Sequence, residues 1–281
     1  MSSPPKYQEM DRDGGPKLLA SHESLFVKQT KRGCIKELLG CEATNEFKIY
    51  PSQAEVMFER NTALHSVLAR MTDCCSSLLG MLLLFQAKGT ETLYSLEEST
   101  FLMRFCCKNQ RAFTQTIWSG SKDNKGSVVM TMDKSWTCPV GPCTCCCIPA
   151  ISYKNPDGSL LGSADVPMFM CLPKIAVKDE SGQEQFAIQM PSCCGGMCVD
   201  CMAEGCCNCK VPFYIYPPGK GAKGEEIGKI IKLWRGMGTE MFSDAASFNL
   251  EFPKDADDNS KARLLGSTMF INMLFFEKGN E

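Results

Sequence analysis

Residues 248–277 read FNLEFPKDADDNSKARLLGSTMFINMLFFE, and this stretch decides the fold. Phe248, Leu250 and Phe252 alternate with other residues, as in a half-buried strand. An acidic patch follows (Asp255, Asp257, Asp258), which suits the N-terminus and cap of a helix. Then an uncharged run extends from Leu264 to Phe276 and stops at Glu277. As a helix that run measures about 20 Å, whereas a bilayer core of about 30 Å needs roughly 20 apolar residues. Only Ser267, Thr268 and Asn272 interrupt it. A helix that is apolar nearly all round must be enclosed. Burial is therefore expected for Leu264, Leu265, Met269, Phe270, Met273 and Phe276, and the rest of the chain has to supply the enclosure.

The enclosure is written in turns. Lys122–Gly126, Asn155–Gly158, Lys178–Gly182 and Pro217–Gly224 are Asp/Asn/Gly/Pro clusters, each opening a short β-prone run. The runs before them (Phe113–Trp118, Ile148–Tyr153, Ile175–Val177 and Phe213–Tyr216) are strand-like too. Leu25–Val27 and Phe47–Ile49 add further alternations, with a short helix expected around Ile35–Leu39. Many short strands at regular spacing predict an antiparallel barrel or sandwich. A closed barrel with the apolar helix on its axis buries the helix and leaves no exposed sheet edge. Residues 54–86 depart from this pattern: Ala54–Met71 has helical spacing and leads through Cys74 and Cys75 into the apolar Leu78–Phe85. The expected organisation is a disordered tail over residues 1–20 and one mainly β domain over 21–281, interrupted by a helical insertion at 54–92.

Composition narrows the function. The 281 residues carry a net charge of −2, with both signs interspersed, so nucleic acid is not an expected partner. The first twenty residues are polar with prolines, unlike a signal peptide. No nucleophile-elbow, phosphate-loop or zinc-protease motif occurs, and two histidines give little scope for ordinary acid–base catalysis.

Cysteine is the anomaly, with 19 residues, mostly bunched, in a large chain without a secretory start. Bunched thiols in a reducing compartment point to thiol chemistry, metal ligation or lipid attachment rather than a disulfide framework. Cys143, Cys145, Cys146 and Cys147 lie beside apolar residues. Two or more acyl chains anchor a protein stably where one does not, so these four are candidate S-acylation sites, weighed against metal binding and against a turn of inert thiols. Cys198, Cys201, Cys206 and Cys209 form two C-x-x-C pairs that could hold tetrahedral zinc, although only four residues separate the pairs. Asp244–Asp255 has the length of a calcium loop, but Ala246 and Phe248 stand where oxygen ligands belong, and no glycine occupies the sixth position. Lys229, Lys232 and Arg235 surround Trp234, either as a contact for anionic headgroups or as a solvated strand face.

Gly228-Lys-Ile-Ile-Lys-Leu-Trp-Arg-Gly236, Phe242–Pro253 and Phe270–Glu277 closely resemble the phospholipid scramblase family, as do Cys143–Cys147 before an Asp-Gly turn and Cys171-Leu-Pro-Lys-Ile175. The likeness covers about residues 20–50 and 93–277. It implies a tubby-like barrel of about twelve strands around the C-terminal helix. It also implies ATP-independent, calcium-activated movement of phospholipids in both directions between leaflets, without covalent chemistry. Attachment would be to the cytosolic face of membranes, chiefly the plasma membrane, through acylated (palmitoylated) cysteines. Asp244, Phe248, Leu250 and Asp255 match the family's calcium segment, while Ala246 replaces an acidic residue of it. A view of the tail as a membrane span also exists for the family; its length here favours burial. Residues 54–92 read as an insertion relative to the family, either a membrane-contacting arm or an unremoved intron. Membrane phospholipids are the expected partners, with a homo-oligomer entertained. The other class of function is a non-catalytic membrane adaptor that binds phosphoinositides or proteins.

Overall fold

Two of the turns show how the chain is folded back on itself. In Asn155–Gly158, the Asp157 carboxylate accepts the Ser159 amide at 2.9 Å and its hydroxyl at 2.6 Å. In Asp179–Gly182, Asp179 accepts the amides of Ser181 and Gln183, each at 2.9 Å. Gly158 and Gly182 take φ +85° and +81°, a region that costs glycine nothing. Each turn sets a hairpin register, and hairpins in series build a meander. The computed structural model describes residues 15–30, 44–51, 91–107, 110–137, 148–167, 174–190, 210–221, 224–233 and 246–277.

Twelve strands close into one antiparallel barrel in sequence order. They are β1 (Ser24–Gln29), β2 (Glu46–Tyr50), β3 (Leu93–Glu98), β4 (Phe113–Gly120), β5 (Lys125–Lys134), β6 (Ala150–Lys154), β7 (Leu160–Asp165), β8 (Lys174–Lys178), β9 (Glu184–Gln189), β10 (Lys210–Tyr216), β11 (Gly228–Leu233) and β12 (Ser247–Glu251). Closure comes from β1, which pairs with β2 through Val27↔Ile49 and with β12 through Leu25↔Leu250 and Val27↔Phe248. Inward positions alternate as the pleat requires: Val211, Phe213 and Ile215 on β10, Ile151 and Tyr153 on β6, and Phe248 and Leu250 on β12 are all buried. Two α-helices occur among the described residues. The short α1 (Phe101–Cys107) links β3 to β4, and α2 (Asp258–Phe275) fills the barrel.

Helix α2 has 18 residues, about 27 Å, and every residue from Ser260 to Met273 is buried. Leu264, Leu265, Met269, Phe270 and Met273 face the strands, and Phe276 follows the last turn, all among the core residues. Asp257 caps the N-terminus by accepting the Ser260 amide at 3.0 Å. The helix starts six residues before the uncharged run, and its buried Lys261 and Arg263 are held by hydrogen bonds, with Arg263 Nε alone left without a partner among the described residues. Lys261 Nζ donates to the carbonyls of Leu19, Ala20 and His22 at 3.2, 2.8 and 2.9 Å. Arg263 donates to Leu161 O at 2.9 Å, Gln185 Oε1 at 2.6 Å and Ser260 Oγ at 3.0 Å. A buried cation held by hydrogen bonds is tolerated where a bare one is not. Ser267 pairs with Tyr153 OH at 2.9 Å, and Thr268 donates to Leu264 O at 2.9 Å.

The folded chain also begins before residue 21. Pro16–Leu19 forms a 3-10 turn with Leu19 fully buried, and Lys261 gathers the carbonyls that follow it. This turn packs against α2 at the end of the barrel where the helix enters. The insertion expected at 54–92 lies outside the described residues apart from Glu91 and Thr92, and so does the helix expected around Ile35–Leu39. Glu91 pairs with Lys48 at 2.9 Å.

At Gly266 α2 passes close to the wall: a Cβ there would lie 2.6 Å from the Tyr153 ring and 3.0 Å from both Met130 Cε and Met132 Sδ. Ordinarily Gly→Ala in a helix gains up to about 1 kcal/mol. Here the ring of fully buried Tyr153 is tethered to Ser267, so overpacking of about 1–3 kcal/mol should win. Gly266→Ala is expected to lower the urea midpoint without changing the slope of unfolding free energy against urea.

Candidate functional site

Strand direction sorts the polar and apolar features onto two rims. At the entry rim, α2 begins and the β4–β5, β6–β7, β8–β9 and β10–β11 turns lie. At the opposite rim α2 ends, α1 joins β3 to β4, and β5 ends at Lys134 while β6 begins at Ala150.

The end of α2 is fixed at this second rim by a buried ion cluster. Arg111 donates to Glu97 through Nε at 2.7 Å and Nη2 at 2.8 Å, and to Glu277 at 2.6 Å. None of the Arg111 or Glu97 side chain is exposed, and 7% of that of Glu277 is. Asn45 donates its amide N–H to Glu97 at 3.1 Å, and Gln29 Nε2 donates to Asn45 Oδ1 at 2.6 Å. Gln29 Oε1 in turn accepts the Ala246 amide at 3.0 Å. The last turn of α2 is thereby tied to β3, to the residues preceding β2, β4 and β12, and to the end of β1. Burial opposes the charge on Glu97, but the hydrogen bonds and charge of Arg111 hold its carboxyl below the ordinary range. Burial raises Glu277, and the neighbouring Glu97 charge adds to that rise. Burial brings the Lys134 ammonium down to about 8, aided by the charge of Arg111. Beside the cluster, Phe276 meets Phe213 edge-on at 6.0 Å and lies 5.7 Å from Phe248, with Lys232 Nζ over its ring at 4.7 Å.

The residues singled out from sequence fall in different places. Of the calcium set, Phe248 and Leu250 point into the core, fully buried, and their strand is paired on both sides, with β1 and β11. Asp255 is exposed in the turn before α2, and Asp244 lies outside the described residues. Two core hydrocarbons and one turn carboxylate do not fit a hard cation that takes six to eight oxygens. Cys143, Cys145, Cys146 and Cys147 lie outside the described residues, as do Cys198, Cys201, Cys206 and Cys209. The strand ends that bracket the first group, Lys134 and Ala150, stand at the α1 rim, where Cys106 is exposed and Cys107 partly so.

Lys232, read as a headgroup contact or a solvated lysine, faces inward and is buried, because it shares the inner face of β11 with Ile230. Lys229 pairs with Glu251 at 3.1 Å; Trp234 and Arg235 lie outside the described residues. Sequence reasoning missed the Glu97–Arg111–Glu277 cluster. The available signal was a lone glutamate ending an apolar run, but its partner lies 166 positions away.

A family model described as Scramblase matches residues 83–278. That range holds β3 to β12 and both helices; β1 and β2, which close the barrel, precede it. The chain is 33% identical over 195 residues to phospholipid scramblase 1 of Mus musculus, covering 69% of this chain and 54% of the relative. It is 31% identical over 193 residues to phospholipid scramblase 2 of Homo sapiens, covering 68% and 58%. Against phospholipid scramblase family member 5 of Homo sapiens it is 27% identical over 190 residues, covering 67% and 63%. The matched part thus spans little more than half the length of the first two. No solved structure matches the chain.

The ion cluster predicts an order of stabilities. Arg111→Met strands two carboxylates in the barrel and should cost at least about 3 kcal/mol. Glu277→Gln keeps an acceptor for Arg111 and leaves Glu97 paired, so it should cost about 1 kcal/mol. Adding Glu97→Gln and Glu277→Gln to Arg111→Met should recover part of the loss. Urea unfolding of the four proteins reads the order; equal midpoints for the two single variants would contradict it.

Proposed function

The chain belongs to the Scramblase family, and from that premise we propose that it moves phospholipids between membrane leaflets in both directions without ATP, from the cytosolic face. The observation that carries the mechanism is the filled barrel. Fully burying a Leu, Ile, Phe or Met side chain stabilises by roughly 1.5–3 kcal/mol. Leu264, Leu265, Met269, Phe270, Ile271, Met273 and Phe276 are all buried in or just after α2. Releasing them into water would therefore cost roughly 10–20 kcal/mol, as much as a whole domain's stability of about 5–15 kcal/mol. Release of the terminal helix into water amounts to unfolding the barrel. A barrel packed with its own helix offers a headgroup no polar path through the interior. The chain therefore works with the barrel intact, by disturbing the bilayer it sits against, and several copies side by side would enlarge that disturbance.

Among the described residues no helix is long and apolar enough to cross a membrane. Attachment to the plasma membrane is assigned to S-acylation of Cys143, Cys145, Cys146 and Cys147. The same filled barrel favours one second reading, a membrane-attached adaptor that binds phosphoinositides or proteins and translocates nothing.

Fluorescent-lipid exchange in vesicles reconstituted with the full chain, with and without calcium, tests the first reading. Exchange above protein-free vesicles is expected. Exchange at the protein-free level, with lipid binding retained, would replace it by the adaptor. In cells, changing Cys143, Cys145, Cys146 and Cys147 together to serine is expected to abolish acyl-exchange labelling of that group and to release the protein from membranes; unchanged attachment would locate the anchor elsewhere.

A further inference from the structure

Helix α1 is built inside out. A helix on a folded domain normally buries its apolar residues and exposes its charges. None of the seven residues of α1 is buried. Phe101, Leu102 and Phe105 are 60%, 66% and 51% exposed, and the rings of Phe101 and Phe105 stack at 6.1 Å. Its one charged residue turns back instead: Arg104 donates to the carbonyl of Ser99 and, at 3.0 Å, to the Ser99 hydroxyl. That hydroxyl donates to Glu97 at 2.5 Å. The helix is thus held by polar bonds to the buried ion cluster, and its hydrocarbon side is left bare.

The surroundings extend the patch. Thr137 N donates to Gln110 O at 3.1 Å, and Lys134 Nζ donates to the carbonyls of Gln110 and Arg111 at 3.3 and 3.1 Å. These bonds bring Trp136, 49% exposed, beside the chain that leaves α1. Ile148, 40% exposed, precedes β6 at the same rim. All the exposed aromatic side chains among the described residues are here; the exposed Leu18, Leu160 and Ile227 are single residues at the entry rim.

We infer that the α1 rim is the surface by which the barrel enters the lipid headgroup layer, with Phe101, Leu102, Phe105 and Trp136 as its insertion residues. This rests on the membrane function proposed above and adds an orientation: the α1 rim faces the bilayer, and the entry rim faces the cytosol. Three observations select lipid as the occupant. The patch is a convex helix, which a fluid bilayer accommodates and a protein would have to match with a groove. Its chemistry is Phe, Leu and Trp, the residues that settle at the headgroup boundary. The seven residues of α1 contain Arg104 and no Asp or Glu, so the helix itself brings no acidic group to an anionic leaflet; the exposed Glu98 lies before it, at the end of β3.

Flotation of the full, unacylated chain with phosphatidylcholine–phosphatidylserine vesicles tests the inference. Phe101→Ser, Leu102→Ser and Phe105→Ser together should lower the partition coefficient at least about tenfold. Leu160→Ser with Ile227→Ser, at the other rim, should leave it unchanged. Because Phe101, Leu102 and Phe105 are each more than half exposed, the triple variant should keep the wild-type unfolding midpoint; Trp136→Ser gives an independent check in the same direction. Equal partitioning of wild type and triple variant, equal loss in the entry-rim variant, or a changed oligomeric state without a changed vesicle affinity would overturn the inference. So would failure of the unacylated wild type to bind vesicles. Lipid exchange by the acylated protein is read separately, so the proposed function can stand when this orientation fails.

Discussion

A helix without a polar side cannot rest on a surface; it has to be wrapped. That constraint governs the molecule. Two layers would cover two sides of α2, and only a closed sheet covers all of it. Twelve strands supply that cover, and the need to close explains why β1 must bridge β12 and β2 although it precedes the region that matches the family model. Hydrocarbon packing alone would still allow the helix to slide or rotate on the barrel axis. Charges at its two ends remove that freedom. Lys261 and Arg263 are held by carbonyls and side chains at the entry rim, and Glu277 meets Arg111 at the other.

The same constraint shapes what the molecule can do. Its interior is occupied, so chemistry or transport has to take place on its outside, and the two rims differ. One carries the Asx turns that follow β6 and β8, with exposed apolar side chains only singly. The other carries an inverted helix whose arginine turns back while its aromatic rings face outward. The cluster that locks the end of α2 is also the one that orients α1, through Glu97, Ser99 and Arg104. Core integrity and the presentation of the apolar rim therefore depend on the same few side chains.

Much of the architecture was legible locally. Asp157, Gly158, Asp179 and Gly182 announced their turns because an Asx turn and a positive φ are satisfied within a few residues. The strands between them followed from alternation. Less legible was anything that needs two distant segments. Lys232 looked like a surface lysine because alternation assigns two faces without saying which is inner once a charge lies among hydrophobes. The acidic patch Asp255–Asp258 did mark the start of the helix, which Asp257 caps, but Lys261 and Arg263 in its first turns gave no sign of being buried. Their acceptors belong to the turn at Leu19, to β7 and to β9, and no window of sequence contains them together. Leu93–Glu98 and α1 were missed for a related reason: Glu97 is buried within its strand, and α1 carries no buried stripe.

By itself, then, the sequence determined that a short, apolar C-terminal helix must be enclosed, that antiparallel hairpins would enclose it, and that the chain resembles proteins named for moving lipid. These follow from local periodicity, turn chemistry and segment length, each complete within some tens of residues. Tertiary structure alone decided where the helix stops along the barrel axis, which lysine is inside, and which rim is apolar. Those outcomes depend on pairing charges and carbonyls far apart in the chain, and a donor's partner is settled only when folding has brought the acceptor to it.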